Sequence, residues 1–319
     1  MNKKVKIWFI VAISLIFLGC IVFIGAMTMG KWDFDKLSMD SKYQTKNYEI
    51  NEEFKDVFIK ADTADIIFAL SEDEKCTVIC YEQEKMSHAV SVTDKKLKIE
   101  INDTRKWYEH IWINFKTPKI TVNLPLSEYQ TLLIKSKMGD VKISKDFTFN
   151  SIDVTVSTGD VVNNANANTI KIKASTGDIC TKDVTVSSLS LSVSTGKVKV
   201  ENTTCEEILV SVTTGKTSLE NITCKSLISD GSTGEVVLKN VIASDKFDIK
   251  RSTGDVKLDG CDAGEIYIKT STGDVKGTLK SEKIFIVNTD TGRKDVPKTI
   301  TGGRCEITTD TGDIIISIM

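Results

Sequence analysis

Six aspartates, Asp140, Asp160, Asp178, Asp255, Asp274 and Asp313, each follow a glycine at a nearly constant interval. If the turns that carry them stack, their carboxylates form a ladder, and repeated turn carboxylates of this kind hold Ca²⁺ in nonapeptide β-helices. Here the period is about twice as long, and the glycine-rich double turn is missing. The same column also holds Lys197, Lys216, Glu235 and Arg293. Basic side chains relieve like-charge repulsion along the ladder and break a continuous metal column. The pattern fits turn chemistry with alternating charge, and no metal site and no cofactor is expected.

Other reactive residue types give equally little. Thr158, Thr176, Thr195, Thr214, Thr233, Thr253, Thr272, Thr291 and Thr311 form a second column. They lie singly in a turn beside charges, whereas ice-binding solenoids carry paired threonines on a flat strand. Cys205 and Cys224 both sit nine places after a glycine, so adjacent rungs ~4.8 Å apart bring them within disulfide range. Their column continues as Ala243 and Ala263, which favours small buried thiols over a bridge. His88 and His110 are the only histidines, and neither falls in a metal-ligand spacing. No Gly-x-Ser-x-Gly, phosphate loop or Cys–His pairing can be placed, so no catalytic residue is assigned.

These residues must be positioned by a repeat. Gly139, Gly159, Gly177, Gly196, Gly215, Gly234, Gly254, Gly273, Gly292 and Gly312 are separated by 20, 18, 19, 19, 19, 20, 19, 19 and 20 residues. A fixed period of this length marks stacked units. Seven and five places before the glycines lie pairs such as Leu132/Ile134, Ile152/Val154, Ile170/Ile172 and Ile208/Val210; two places after lie Val141, Val161, Ile179, Val198, Val236, Val256, Val275 and Ile314. Leu227/Ser229, Thr217 and Lys294 depart from these columns. Apolar residues at i and i+2 on both sides of a turn predict two short strands, each with one buried face. Copies stacked parallel and in register make an all-β parallel solenoid with rungs of about 19 residues. The glycines are structural: the tight turn needs φ > 0, and flanking Ser, Thr and Asp bond its backbone. Only three prolines occur, as long strand ladders require.

The chain begins with Lys3, Lys4 and Lys6, and then runs apolar from Ile7 to Met29. As a helix this run spans roughly 34 Å, enough to cross the hydrocarbon core of a bilayer. The lysines place residues 1–6 in the cytoplasm and the rest outside. A cleaved signal peptide ending near Ala26 is the competing reading, and a lipoprotein box at Phe17-Leu18-Gly19-Cys20 is a third. The length of the run and its continuation past Cys20 favour an uncleaved single-pass anchor in the cell membrane. Residues 30–47 read as a tether. Residues 48–131 read as an N-terminal β region, in which Val57–Phe68 is a diverged first rung with Thr63-Ala64-Asp65 at its turn. Within it, the aromatic cluster Trp107–Phe115 reads as a cap, with a carbohydrate platform or interface anchor as the alternative. Residues 132–319 are the solenoid. Eight cysteines are not arranged as a disulfide framework, and Cys76 and Cys80 are too far apart along one strand to bridge. A net charge of −2 with no long basic run gives no electrostatic basis for binding nucleic acid.

The phrase Ile120-Thr121-Val122-Asn123-Leu124-Pro125, then Tyr129 and Leu133-Ile134-Lys135-Ser136, leads into Gly139-Asp140-Val141 and the serial Ser-Thr-Gly-Asp turns. It resembles the bacterial adhesin-like family of β-strand-repeat proteins of unknown function, which includes LiaG-like envelope proteins of Gram-positive bacteria. The resemblance covers residues 49–319. It implies a membrane-anchored surface protein, with cell-wall polymer or another envelope protein as partner. Three functions are carried forward: a non-enzymatic envelope scaffold or adhesin-like binder, a regulatory accessory of an envelope-stress sensor acting through the apolar end Ile314–Met319, and an envelope polysaccharide enzyme.

Overall fold

The computed structural model describes residues 3–29, 32, 42–106 and 116–319. Helix α1 (Lys3–Met29) contains one continuous apolar span, Val5–Met29, long enough to cross a membrane. It has no acidic residue in its first turn. The expected cap at Trp107–Phe115 lies outside the described residues.

The rest is a parallel β-solenoid of about nine turns. In the repeats, one long strand enters the turn glycine and a shorter one leaves it. The pairs are β8 (Glu128–Met138) with β9 (Val141–Ile143), β10 (Thr148–Thr158) with β11 (Val161–Asn163), and β12 (Asn166–Thr176) with β13 (Ile179–Lys182). After β14 (Thr185–Thr195) the outgoing strand of one rung runs on into the incoming strand of the next. This gives β15 (Val198–Thr214), β16 (Thr217–Thr233), β17 (Val236–Thr253) and β18 (Val256–Thr272). Ile152 lies beside Leu132 and Ile170, and Val161 beside Val141 and Ile179. The apolar columns therefore stack in register, and these side chains are fully buried.

Residues 56–70 form a rung without a glycine. β2 (Asp56–Ala61) aligns Val57 and Ile59 with Leu132 and Ile134, and β3 (Asp65–Leu70) aligns Ile66 and Phe68 with Val141 and Ile143. Ala64 takes the glycine position. Ala64 is buried, and beyond it both sheets change character: the Asp65 amide donates to the Pro118 carbonyl at 2.9 Å in place of a repeat turn. β6 (Lys96–Asp103) and β5 (Met86–Thr93) extend one sheet beyond β2, while β7 (Lys119–Leu124), β4 (Cys76–Gln83) and β1 (Tyr43–Ile50) extend the other beyond β3. The segment 30–47, expected as a tether throughout, is strand from Tyr43 onward. Tyr43–Ile50 pairs antiparallel with Cys76–Gln83 along its whole length, because Lys46, Tyr48 and Ile50 alternate inward over β4.

The far end departs from sequence order. β20 (Lys283–Thr291) and β21 (Lys294–Asp295) form the outermost rung, and the later β22 (Gly303–Thr311) and β23 (Ile314–Ile318) insert between it and β18 with β19 (Val275–Leu279). Rung composition accounts for the exchange. The outer rung places Lys294 where the other repeat rungs place Val, Ile or Thr, and Pro297 follows it, which an edge tolerates and an interior ladder does not. The inserted rung carries Cys305, Ile307, Ile314 and Ile316, all buried. The C-terminal segment is thus an interior rung, with Ile314 and Ile316 buried and Met319 exposed.

A second corner repeats opposite the glycines. Asp183, Asn202, Asn221 and Asn240 adopt φ of 56°, 48°, 54° and 49°, a region Asn and Asp enter more readily than other side-chain-bearing residues. Their side chains form a ladder: Asn202 Nδ2 donates to Asp183 Oδ1 (2.7 Å), Asn221 to Asn202 (3.0 Å) and Asn240 to Asn221 (3.0 Å). Beyond this corner Thr203 and Thr204 pair with Ile222 and Thr223, so the rung has a short third side.

The departures at Thr217 and Ser229 share one cause. Arg251 stands in an inward column beside Gly231 and is 4% exposed. Its Nη2 donates to Thr217 Oγ1 and Ser229 Oγ, both at 3.0 Å, and its Nη1 to the Lys250 carbonyl at 2.7 Å. A Cβ on Gly231 would lie 3.0 Å from Nη1. Hydroxyls and a missing side chain thus lodge a guanidinium inside the core.

Two outcomes follow. At Gly215, φ is +140° and a Cβ would stand 1.7 Å from the Gly196 carbonyl oxygen, so Gly215→Ala should destabilise by at least ~2 kcal/mol and Gly215→Val by more. Denaturant midpoints equal to wild type would refute the stacked turn. Arg251→Met should cost about 1–3 kcal/mol by stripping buried hydroxyls of their donor. Adding Thr217→Val and Ser229→Val should recover most of that loss; a single variant as stable as wild type would contradict the assignment.

Candidate functional site: the turn ladder and a buried Cys–Glu–His cluster

The aspartate column is engaged in holding rungs together. Asp140 N donates to Asp65 Oδ1 (2.9 Å), Asp160 N to Asp140 Oδ1 (2.9 Å), Asp178 N to Asp160 Oδ1 (2.7 Å) and Lys197 N to Asp178 Oδ1 (2.7 Å). Beyond the midpoint, Asp274 N bonds Asp255, Asp313 N bonds Asp274 and Arg293 N bonds Asp313. Each carboxylate thus accepts the first amide after the glycine in the neighbouring turn. Alongside, glycine amides donate to threonine carbonyls of the adjacent rung, as from Gly215 to Thr233 at 2.8 Å. Where the column lacks aspartate, ion pairs substitute. Glu235 meets Lys216 at 2.8 Å and Lys257 at 2.5 Å, and these lysines hold its carboxyl below the usual range.

Cys205 and Cys224 are buried free thiols on adjacent rungs. The hydrogen bond between their sulfurs, with burial adding to it, pushes the Cys205 thiol up. Cys76 is also a free buried thiol, pushed up to about 12 by desolvation.

One constellation is assembled only by the fold. Cys80 and Glu82, two apart on β4, face inward, and the hairpin to β5 returns His88 against them. One ligand-type atom from each lies within 4.8 Å of the other two. Glu82 Oε2 accepts from the His88 backbone N–H (2.6 Å) and lies 2.9 Å from His88 Nδ1. Lys46 Nζ, on β1, lies 3.1 Å from Glu82 Oε1, and this pairing raises the Lys46 ammonium above its ordinary value. Tyr48 donates its hydroxyl to the His88 carbonyl at 3.1 Å. Cys80 and Glu82 are 0% and His88 2% exposed, and His88 Nε2 has no hydrogen-bond partner. Sequence spacing offered His88 no ligand partner. The legible signal was Glu82, an acid in the inward register of Val78 and Cys80.

A thiol, an imidazole and a carboxylate together invite comparison with a Cys–His–Glu nucleophile. That chemistry needs a thiolate open to substrate. Burial, with the Glu82 charge adding to it, pushes the Cys80 thiol up to about 12, and the sulfur has no exposed surface. The cluster cannot act as an acyl-transfer nucleophile in this conformation. An open cleft of about 520 Å³ lies elsewhere on the N-terminal end, lined by Phe54, Lys55, Lys75, Lys95 and Tyr129 among others.

Stacked glycine turns, two extended sheets and an antiparallel N-terminal end define a β-solenoid repeat protein carrying one apolar N-terminal helix. The chain belongs to the Toastrack DUF4097 family, whose model matches residues 54–228 and 205–319. This agrees with the adhesin-like β-repeat resemblance read from its turns. No curated protein matches it. Three solved structures are similar in outline. A "putative adhesin" from Bacteroides fragilis is 21% identical, with 75% of this chain and 96% of that one covered and a TM-score of 0.43. A "putative adhesin" from Parabacteroides merdae is 13% identical, with coverage of 75% and 96% and a TM-score of 0.46. A "putative lipid binding protein" from Parabacteroides distasonis is 17% identical, with coverage of 73% and 94% and a TM-score of 0.43.

The ladder makes a pH-dependent prediction. Lys276 (2.6 Å) and the Asp313 amide hold the Asp274 carboxyl below its ordinary value. A depressed folded pKa means that its stabilisation is present at neutral pH and is lost as pH falls below the normal carboxylate range. Asp274→Ala should cost about 1–2 kcal/mol at pH 7. Asp274→Asn, which keeps an acceptor oxygen, should cost less, and the gap between wild type and Asp274→Ala should close on acidification. Equal stability of all three at pH 7 would show that the carboxylate bracket is idle.

Proposed function

We propose that the protein is a non-enzymatic, membrane-anchored binding scaffold of the cell envelope. Its N-terminal helix spans the membrane with residues 1–6 in the cytoplasm, and the solenoid stands outside. The observation that carries this reading is the union of the Val5–Met29 apolar span, preceded by Lys3 and Lys4, with a stack whose turn carboxylates are spent on backbone amides. Turn aspartates bond amides, and the cysteines of the solenoid core are buried thiols. What remains outward is polar strand surface studded with ion pairs such as Lys239–Glu220 and Lys225–Glu206. A surface of that kind suits multivalent weak contact with a repeating polymer, where many equivalent rungs act together.

The partner class is cell-wall polymer or another envelope protein. For a regulatory role at an envelope-stress sensor, the Ile314–Met319 end offers Met319 and the edge of Ile318, with Ile314 and Ile316 buried. An envelope polysaccharide enzyme would require an exposed acid pair or nucleophile, and the cluster that brings a nucleophile, base and acid together is closed to solvent. Full-length protein in nanodiscs should bind purified cell-wall sacculi saturably and release on added soluble wall polymer. Binding no greater than that of empty nanodiscs, together with no capture of envelope proteins from a cross-linked membrane fraction, would end the scaffold reading.

A further inference from the structure

We propose that Cys80, Glu82 and His88 form a binding site for a divalent cation of the zinc class, closed over by β1 and regulated by competition with Lys46. This inference is independent of the envelope reading, because the site would exist whatever the solenoid binds.

The donor set is a sulfur, a carboxylate oxygen and an imidazole nitrogen, the three ligand types that zinc takes, with metal–ligand distances of about 2.0–2.3 Å. A tetrahedral ion at those distances holds its ligand atoms roughly 3.3–3.7 Å apart, so donors within 4.8 Å of one another reach one ion by closing in by about an ångström. Each donor is at least 98% buried. The buried His88 Nε2 has no partner, an unmet hydrogen-bonding need in a folded core. Glu82 Oε2 already meets the His88 backbone amide and Nδ1, so the imidazole is held against the carboxylate with which it would share the ion.

Charge explains the role of Lys46. A buried carboxylate demands a nearby positive charge, and Lys46 supplies it from β1, directly opposite Cys80 in the register. Its side chain is 38% exposed, so it can turn to water. When the cation binds, Cys80 loses its S–H proton to solvent, a sulfur–metal bond forms, and no electron changes hands. Thiolate and carboxylate then carry two negative charges against two positive ones. The loaded site is neutral without Lys46, and the ammonium becomes an excess charge that is expelled. Cation and ammonium therefore exclude one another.

The test uses untagged full-length protein in detergent micelles, titrated with Co(II) as a spectroscopic stand-in for Zn(II). One equivalent should produce a thiolate-to-cobalt charge-transfer band that Zn(II) abolishes. Cys80→Ser should remove the band, and His88→Gln should weaken binding by roughly 10-fold or more. Lys46→Met leaves the Glu82 carboxylate without its ammonium in the empty site, so it should lower the melting temperature of the metal-free protein and tighten binding of the cation that replaces the lost charge. Absence of the band in wild type, a band that survives Cys80→Ser in a folded variant, or weaker binding in Lys46→Met would each overturn the proposal.

Discussion

The contact on which the rest of the structure depends is between successive turn glycines. At Gly159 an added Cβ would lie 2.1 Å from the Gly139 carbonyl oxygen, and at Gly234 it would lie 1.8 Å from that of Gly215. The backbones touch directly there. That approach fixes the rung spacing at one corner, and so brings the glycine amide to the neighbouring threonine carbonyl and the aspartate carboxylate to the next amide. With the corner fixed, a shift of one residue would turn every apolar side chain outward. Register along both sheets is thus set from the turn. The polar residues around it stabilise a geometry that glycine alone makes possible.

Ends are the natural weakness of such a stack, because an open rung exposes both unpaired backbone and core. The two ends are handled differently. At the start, antiparallel strands take over from parallel ones, with β1 lying outermost on one sheet and β5 on the other. At the finish, the chain passes over a position, lays down the rung with Lys294 and Pro297 at the rim, and returns to fill the gap. Lys294 and Pro297 at the rim, and Ile314 and Ile316 within, place each residue type where its solvation is cheapest. Irregular chemistry gathers at the irregular end. The sole Cys–Glu–His grouping found among the described residues lies beneath β1, outside the repeat.

Interior polarity follows a different logic in the middle of the stack. Arg251 is held by two hydroxyls and a carbonyl rather than by a carboxylate. Desolvation is partly offset by those bonds, and the rung before it gives up two apolar positions to make them. The asparagine corner serves a related purpose, since each amide both donates and accepts along the stack and relieves the strain of positive φ.

The sequence by itself determined the repeat, the bend and the faces, because these depend on local spacing. The 18–20 residue period, alternation about each glycine, and the apolar run at the start needed no partner to be read. Lys197, Lys216 and Arg293 already showed that the turn column serves the backbone. Tertiary structure alone decided which rung lies beside which. Ile314 and Lys294 sit in equivalent positions of equivalent repeats, so periodicity treats them alike, and only competition for the buried slot separates them. It also decided that Ser229 and Thr217 answer to an arginine 22 and 34 residues away. Tyr43–Asn47 shows the same limit, since an edge strand is recognised by what it covers. Cys80, Glu82 and His88 meet for that reason too: two come from alternation along one strand, but the third arrives through a hairpin whose closure depends on the whole N-terminal end.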